Sequence, residues 1–581
     1  MITTLLAATP LVIVAALLVG ALWSATRVMP LAWGAAALIA IVVWEMPAVF
    51  VGAASITGVM AAIEILWIVF GALVLLYTLT RSGAVDRINA GFAEISDDRR
   101  VQVILLGFFL ATFLEGVAGF GTPPAVVAPL LLALGFPALA AVVAALIGHA
   151  VATVFGAVGT PVIVGFQQPL SAVEGQIADG TGLTVAEFSA EAAVYAALFN
   201  GLLGMFMPLV AVSMVVYFFG EERTLAGVWS VVPLAIVSGI AFAVPYVGIA
   251  ALVGPELPSL FAPMIGGAVV VGLLKAGYLE PSDEWSFPPR EEWPDHWVGS
   301  IEPGGEEAAA TAGAGTKSGA GTETGAGVAD QTPSMGLLRA WSPYIILAVL
   351  LIATRVIDPV AAFLQSGPVL AISWDVFNTG LEGAIRWAYV PGTWLLVSAL
   401  VAVPLFGLDR GQVAGAWREA GEKIVSPTIV LFFVIAMVEI MLNTDAHAGG
   451  PIDGSMIVVL AEGAAATFGA AYPMVAPTVG MIGAFVAGSI TVSNITFTAF
   501  QFEVGTTLGL PTTILVAAQS IGGAIGNIVA IHNVVAALAT VGMVGAAGRV
   551  IRLNLVPLVY YLVGGGLLTT LGVYVLFPTL F

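Results

Sequence analysis

The chain has 581 residues, of which 59% are hydrophobic and 9% are charged, and its mean hydropathy is +1.05. Soluble globular proteins do not have this composition, and its apolar segments are long enough to cross about 30 Å of hydrocarbon, so the sequence predicts a polytopic membrane protein. The net charge of −19 lies mostly outside these segments and gives no reason to expect nucleic-acid binding, while the lack of cysteine excludes disulfides and thiol chemistry.

The apolar segments continue along the whole chain without the alternating polarity of β-barrel strands, so they are predicted to be α-helices. Two longer regions, 101–168 and 474–548, hold further spans that are repeatedly interrupted. At about 20 residues a span, we expect roughly a dozen crossings in an all-α polytopic membrane protein. The simple candidate spans lie near 3–26, 31–50, 61–79, 193–219, 228–252, 259–278, 337–354, 391–407, 425–442, 455–471 and 553–577.

The placement of Arg and Lys predicts the orientation of the chain. Arginine and lysine collect in loops at 81–100, 410–423 and 549–552, which we therefore place in the cytoplasm. The loop 169–190 contains acidic residues but no Lys or Arg, so we place it outside the cell. Counting spans from these loops puts both termini outside and leaves the crossing pattern around 443–510 open.

Residues 280–336 differ in kind from the rest of the chain. Their first part is acidic and rich in tryptophan, and their second part is a low-complexity run of Gly, Ala, Thr and Glu. Such a composition does not bury enough apolar surface to fold, so the segment is predicted to be a disordered cytoplasmic linker. It divides the chain into two transmembrane halves, 1–279 and 337–581.

The stretch 107–124 starts as an apolar helix and then breaks. Glu115 lies within the apolar run and is followed by Gly119, Gly121, Thr122 and two prolines. A carboxylate and helix breakers facing lipid would be costly, so the stretch is expected to face a water-filled solute pathway. Burial favours the protonated carboxyl group, so Glu115 could load and release a proton; the alternative is a structural hydrogen bond to a neighbouring helix. Free N–H groups at the break could attract an anion, or the break could be a kink without a ligand.

Two short sequence patterns occur once in each half. The pattern V-A-G-x-x-T at 117–122 recurs at 486–491, and I-G-x-A at 147–150 recurs at 521–524. The matches keep their order and nearly their spacing, and each lies in an interrupted region. Interrupted segments at corresponding positions of two halves are typical of transporters built from inverted repeats, where they form the binding site.

The second-half counterpart of the break is rich in polar side chains. In a re-entrant hairpin tip these groups could hold a carboxylate and a small cation, with Na⁺ near Ser493 and Asn494; the alternative is hydrogen bonding between helices. The polar groups are Ser489, Thr491, Ser493, Asn494 and Thr496.

Further polar residues follow in the two interrupted regions. His149 lies in the first half, and Gln519, Asn527 and His532 lie in the second. Each histidine could protonate and attract a carboxylate, or could be a structural residue with a hydrogen-bond partner. Glutamates 64, 439 and 462 lie nearer the ends of spans and are interpreted as structural. Since the cores of both regions lack Lys and Arg, anion binding would use helix dipoles, hydroxyls, amides or a charged histidine.

Common enzymatic motifs are missing from the sequence. It contains no Walker loop, no HExxH, no Cys/His cluster and no GxSxG. These absences argue against ATP as the energy source and against a metalloprotease, a haem protein or a serine hydrolase. We therefore expect a protein that is not an enzyme, with no cofactor beyond a coupling ion.

The stretch L-E-G-x-A-G-F-G-T-P at 114–123 resembles the L-lactate permease family. The resemblance extends through 134–136 and 154–161 and resumes over 488–494 and 522–523, covering the chain apart from 280–336. It implies uptake of lactate or glycolate with protons, and the wider ion-transporter superfamily implies paired re-entrant hairpins. The chain departs from the family pattern in having Ile490 for an acidic residue, Asn527 for a lysine and Ala530-Ile531-His532 for Ser-Pro-Gln.

These observations predict a secondary active transporter with two inverted repeats. Hairpins near 101–135 and 474–505 and broken helices near 140–165 and 512–540 are expected to meet near the membrane midplane. The expected substrate is a small 2-hydroxy monocarboxylate, moved across the cell membrane with H⁺ or Na⁺. The predicted binding residues are Glu115, Gly119, Gly121, Thr122, His149, Ser489, Thr491, Ser493, Asn494, Gln519, Asn527 and His532.

Several alternatives remain open on the sequence alone. One is a transporter of a different carboxylate or anion from the same superfamily. Another is a channel or proton-translocating subunit, which would need buried lysines on successive helices. A third is a membrane enzyme or a sensor, which would need a catalytic constellation. By analogy with elevator-type relatives, a homodimer is expected.

Overall fold

The computed structural model describes residues 2–21, 23–93, 95–119, 121–305, 308, 335–447, 449–543 and 545–580. Twelve helices or continuous helical runs among these residues are long and apolar enough to cross a membrane. This confirms the predicted all-α polytopic class with about a dozen crossings.

Most of the described chain is helical. The helices are α1 (Ile2–Ala15), α2 (Ala25–Val42), α3 (Ala48–Arg81), α4 (Ala84–Ala93), α5 (Arg99–Gln102), α6 (Ala111–Val117), α7 (Thr122–Ala133), α8 (Ala138–His149), α9 (Gly156–Ile163), α10 (Gln167–Leu170), α11 (Glu174–Thr181), α12 (Val185–Gly204), α13 (Met207–Phe219), α14 (Val232–Leu252), α15 (Pro258–Lys275), α16 (Leu337–Val356), α17 (Asp358–Leu364), α18 (Pro391–Phe406), α19 (Arg410–Leu442), α20 (Met456–Phe468), α21 (Tyr472–Ala487), α22 (Ile490–Leu508), α23 (Thr512–Gly526), α24 (Ile531–Thr540) and α25 (Ala547–Leu571). Wider π-type turns continue α1 over 16–20, join α5 to α6 over 103–110 and extend α25 over 572–576.

One element is not helical. Strands β1 (Ile372–Asp375) and β2 (Glu382–Ile385) form an antiparallel hairpin in which Ile372 is opposite Ile385. The sequence prediction contained no strand. The hairpin packs its inner side chains against α3, where Gly383 closely approaches Met60.

One group of helices packs side by side and is called the first group below: α1–α3, α16, α18 and α19. Helices α3 and α19 run antiparallel, because Gly58 lies against Ala436 while Arg81, at the other end of α3, pairs with Glu419 at 3.1 Å. Helix α18 packs on the opposite side of α3, where Gly71 meets Gly392. Glycines at these crossings allow backbones to approach closely, as is common between membrane helices.

A second group, called the cavity group below, contains α6–α15 and α21–α25. Two helical hairpins lie within it. Helices α6 and α7 are joined by residues 118–121, and α21 and α22 by residues 488–489. Each hairpin packs on an interrupted helix: α8 is separated from the regular turns of α9 by a kink at 150–159, and α23 from α24 by residues 527–530. Helix α20 packs on both α1 and α22 and so touches both groups.

The repeated I-G-x-A pattern has the same packing role in both halves. A side chain at Gly148 of α8 would meet the carbonyl of Gly107, and one at Gly522 of α23 would meet the carbonyl of Pro477. In both halves, therefore, the interrupted helix presents a glycine to the first arm of the preceding hairpin. Any larger residue would separate the two backbones.

The structure corrects the prediction of a disordered linker over residues 280–305. This segment, called the strap below, packs along the ends of the cavity group, whereas 306–334, apart from residue 308, lie outside the described residues. Its Trp297 is 5% exposed and contacts Phe219, with ring centroids 5.1 Å apart. Three residues further along, the Ser300 N–H donates to the Gly542 carbonyl at 2.9 Å. Aromatic side chains packing on helix ends give the strap an apolar contact surface despite its acidic composition.

Candidate functional site

A small cavity lies where the two halves of the chain meet. Its volume is about 300 Å³, but only about 20 Å³ is open to the centre of a water molecule, which is the space that one water needs. The site is therefore tightly closed in this conformation. Its lining residues are Glu115, Gly119, Gly121, His149, Gly156, Ala157 and Pro161 from the first half, and Gly488, Ser489, Ile490, Thr491 and Asn527 from the second.

Glu115 supplies the carboxyl group of the cavity. It lies on α6, one turn before the break, and is 3% exposed. Its Oε2 atom is buried without a hydrogen-bond partner among the described residues. Its Oε1 atom faces Gly156, where any side chain would collide with the carboxylate, and lies in ordinary contact distance of Gly119. Gly156 therefore leaves room for this carboxyl group to face the cavity.

The first break places its backbone at the cavity wall. Gly119 and Gly121 have φ angles of 59° and 75°, which glycine adopts without steric cost. The Thr122 hydroxyl donates to the Gly119 carbonyl at 2.8 Å, so it holds the break in shape and does not line the cavity. Because Pro123 and Pro124 have no N–H group, helix α7 begins with few donors for an anion.

The second break, at 488–489, is followed by a helix whose first N–H groups are available as donors. Gly488 has a φ angle of 65°, and the Ser489 hydroxyl caps α22 by accepting from the Val492 N–H at 3.4 Å. Helix α22 has 19 residues and starts at the cavity without proline, so its first N–H groups lack partners within the helix. The start of α22, with Ser489 and Thr491, is therefore the better anion-binding end of the two.

Three of the predicted binding residues lie behind the tip of the second hairpin: Ser493, Asn494 and Gln519. The Ser493 hydroxyl donates to the Gly480 carbonyl at 2.8 Å and accepts from Gln519 Nε2 at 3.0 Å. Asn494 donates to the Pro161 carbonyl at 3.0 Å, which links the hairpin to the first half, while its Oδ1 is buried without a partner in the described chain. Gln519 in turn accepts from Gln501 at 3.0 Å. These contacts position the tip and its cavity-lining hydroxyls.

The two histidines have different positions. His149 is buried at the end of α8, lines the cavity and has its Nδ1 3.3 Å from the Ala145 carbonyl. His532 does not line the cavity; its Nε2 lies 3.0 Å from the Gly488 carbonyl, and its ring faces a neighbouring vestibule. Asn527, at the end of α23, lines the cavity.

Within the region 140–165, where a broken helix was expected, sequence reasoning missed the left-handed conformation of one segment of the cavity wall. Ala157, Val158 and Gly159 have φ angles of 43°, 55° and 77°, and the Thr160 hydroxyl donates to the Ala157 carbonyl at 2.5 Å. A β-branched residue is a rare outlier in the left-handed region, and such strain concentrates at functional sites. The pattern G-x-x-G-x-P at 156–161 is the signal that could have located it.

Two wider vestibules lie on opposite sides of the cavity. One, in which about 430 Å³ is open to the centre of a water molecule, shares Gly488 and Ser489 with the cavity and reaches Ser426 of α19. The other, in which about 690 Å³ is open in the same sense, begins next to Pro161 at Ile163 and reaches Glu439 of α19. Ser426 and Glu439 are about 20 Å apart along the helix at 1.5 Å per residue. The cavity thus lies between two larger openings, as alternating access requires.

The sequence pattern of the family described as L-lactate permease matches residues 3–576. A putative L-lactate permease of Haemophilus influenzae is 25% identical, over 91% of this chain and 90% of its own length. The glycolate permease GlcA of Escherichia coli is 27% identical over 93% and 90%, and an L-lactate permease of Bacillus subtilis is 26% identical over 90% and 87%.

Proposed function

The chain belongs to the L-lactate permease family, and on this premise we propose that it carries L-lactate or glycolate across the cell membrane together with a proton bound at Glu115. The family assignment confirms the resemblance at 114–123 and establishes an integral multi-pass transporter rather than an enzyme. The identity of the hydroxy acid and the coupling ion are part of the proposal, and similarity to both lactate and glycolate permeases supports the choice of hydroxy acid.

The observation that carries the proposal is the meeting of an unpaired carboxyl group with an anion-binding helix start. Glu115 comes from the first half, and Ser489, Thr491 and the start of α22 come from the second. The carboxylate of the substrate would accept hydrogen bonds at the start of α22, and the hydroxyl group of the substrate would contact neighbouring side chains. Two negative charges in so small a space repel each other, so the substrate is expected to bind when Glu115 is protonated.

Coupling follows from this charge balance. Protonated Glu115 and a bound monocarboxylate together place one net negative charge in the cavity, which the helix start can stabilise. Loss of the proton on the other side of the membrane adds a second negative charge and expels the substrate. Because the cavity has room for about one water molecule, the groups of helices must move apart for the substrate to enter or leave.

One observation favours Na⁺ as a second candidate ion. Asn494 Oδ1 is buried without a partner among the described residues, and oxygen atoms of this kind are ligands for small hard cations. A sodium ion there would compensate the substrate charge without a proton at Glu115. Imposing either a proton gradient or a sodium gradient on the same vesicles distinguishes the two candidate coupling ions.

The test is uptake by the purified protein in liposomes. Labelled L-lactate and glycolate are expected to accumulate under an inward proton gradient, and Glu115→Gln is expected to abolish that accumulation while leaving exchange of substrate for substrate. Glu503→Gln, which neutralises a carboxyl group away from the cavity, is the matched control and should accumulate normally. Accumulation by Glu115→Gln that still follows the proton gradient would contradict the role of Glu115, and dependence on sodium alone would favour the second ion.

A further inference from the structure

The buried glutamates of the described chain differ in their partners. In one set each glutamate forms an ion pair with an arginine: Glu64 with Arg386 at 3.4 Å, Glu256 with Arg355 at 2.7 Å and Glu419 with Arg81 at 3.1 Å. Glu115, Glu439 and Glu503 have no Lys or Arg within 4.0 Å among the described residues. A buried carboxylate without a cation is costly to keep ionised, so a glutamate of this set that also contacts an element next to the cavity wall is a candidate for proton exchange.

Glu439 has a specific hydrogen-bonding environment. It lies in the last turn of α19 and is 7% exposed. Its Oε1 accepts from Gln168 Nε2 at 2.5 Å, and its Oε2 accepts from Asn443 Nδ2 at 3.0 Å. Two amide donors satisfy the ionised carboxylate without cancelling its charge. The sequence interpretation of Glu439 as a structural residue accounts for these bonds but not for the missing cation.

Gln168 gives a second, independent indication. Its Oε1 is buried without a partner in the described chain, although its Nε2 is bonded to Glu439. An ionised Glu439 can only accept, so it requires the amide nitrogen of Gln168. A protonated Glu439 can also donate a hydrogen bond. If the Gln168 amide rotated by half a turn, its unpartnered Oε1 would accept that hydrogen bond. The pair can therefore exist in two hydrogen-bonded arrangements that differ by one proton.

This contact joins the two groups of helices. Gln168 lies on α10, which directly follows the cavity wall at 156–163, and α10 belongs to the cavity group. Glu439 belongs to the first group. Both residues line the vestibule of about 690 Å³, together with Val164, which is only 4% exposed behind them. Opening the cavity toward this vestibule requires the two groups to part here.

We infer that Glu439 is a second proton-binding group, which in its ionised form ties α10 to α19 and closes the cavity toward this vestibule. Protonation removes the charge-assisted hydrogen bond and releases α10. The inference rests on the proposed transport function, because closing and opening the cavity has a purpose only if a substrate passes through it. It adds a proton site that is separate from Glu115.

Other charged groups around Glu439 do not replace it in this role. Glu64 and Arg386 neutralise each other across the vestibule, and Glu503 of α22 accepts from Gln176 at 3.0 Å. The remaining carboxylates near this end are solvent-facing or lie beyond the end of α19: Glu174, Glu382 and Asp445. The hydrogen bond between Gln168 and Glu439 joins α10, which directly follows the cavity wall, to α19.

The experiment uses the absence of cysteine from the chain. A single cysteine is placed at Val164 (Val164→Cys), and its rate of modification by a hydrophilic maleimide is measured in purified protein at neutral and acidic pH, without substrate. Each rate is divided by that of an exposed cysteine at Ser171 (Ser171→Cys) in the same vestibule, which cancels the ionisation of the thiol. The ratio is expected to rise about tenfold on acidification, because a charge-assisted hydrogen bond is lost.

Three variants test whether the contact between Gln168 and Glu439 produces this pH response. Glu439→Gln is expected to give the high ratio at both pH values, and so is Gln168→Ala, which removes the partner without touching the carboxyl group. Glu503→Gln, another buried glutamate bonded to a glutamine, is the matched control and should keep the wild-type response. A normal pH response in folded Glu439→Gln or Gln168→Ala, or its loss in Glu503→Gln, would overturn the inference. Because labelling needs no substrate, failure of lactate uptake would not produce either result.

Discussion

At the scale of single residues, Gly488 shows how local geometry and tertiary contact act together. Its φ angle of 65° ends α21, and the ring of His532 occupies the space that a side chain would need. The ring nitrogen also lies 3.0 Å from the Gly488 carbonyl, on the boundary between the cavity and the vestibule near Ser426. The glycine therefore gives the hairpin tip its turn and also makes room for the histidine.

Substituting Gly488 by alanine tests the second of these roles. Gly509 is a matched control, because its φ angle is 63° and no atom lies near the position of an added side chain. Both Gly488→Ala and Gly509→Ala are expected to cost about 1 kcal/mol for the left-handed backbone. Only Gly488→Ala should also displace His532 and lower the rate of lactate uptake in liposomes. An equal loss of uptake in both variants would show that backbone strain, rather than the histidine contact, is responsible.

At the scale of elements, the breaks show what the sequence could predict. Glycines and prolines located the interruption at 118–121 and the one at 488–489, because these residues cannot continue a regular helix. A broken helix was expected near 140–165, but the left-handed conformation at 157–159 was not predicted, since Ala157 and Val158 do not favour positive φ angles and tertiary packing imposes that conformation. Of the predicted binding residues, the structure brings seven to the cavity, and it places Thr122, Ser493, Asn494, Gln519 and His532 around it.

The strap is the element for which composition was misleading. Its acidic residues face water or pair with arginines, as Asp283 does with Arg100 at 3.4 Å, while its tryptophans pack on helix ends. Average composition does not distinguish this arrangement from a disordered linker, because it ignores which side chains share a face. Contacts with the ends of α7, α13 and α24 indicate that the strap holds the cavity group together.

Trp297 allows this stabilising role to be measured. Trp297→Ala is expected to destabilise the protein by about 3 kcal/mol, as for other buried large side chains, and to lower its Tm in detergent. Trp229→Ala is the control, because Trp229 is 76% exposed. If the two variants had the same Tm as the unsubstituted protein, the strap would contribute little to stability.

At the scale of the whole molecule, the division into a first group and a cavity group agrees with the predicted mechanism of a transporter. The cavity group holds both hairpins and both interrupted helices, whereas α3 and α19 form the centre of the first group. Interfaces between the groups, such as that between Gln168 and Glu439, are where movement would change access to the cavity. Inverted repeats remain a prediction, supported by the matching positions of the two sequence patterns.

The orientation of the molecule is a prediction that labelling can check. Asp179 and Glu280 are both exposed and lie on opposite sides in the predicted topology. A single cysteine introduced as Asp179→Cys is expected to react with a membrane-impermeant maleimide on intact cells. Glu280→Cys is expected to react only after the membrane is permeabilised. The reverse pattern would invert the predicted orientation, including the placement of both termini outside.

The sequence by itself determined the membrane-spanning class, the family and the positions of the two hairpin breaks. These properties depend on apolar length, on local residue types and on short motifs, all of which are readable along the chain. Only the tertiary structure decided that Glu115 and the start of α22 share one cavity, that Val158 adopts a left-handed conformation and that Glu439 has amide partners instead of an arginine. Each of these depends on contacts between residues far apart in sequence, whose packing energies no local pattern records.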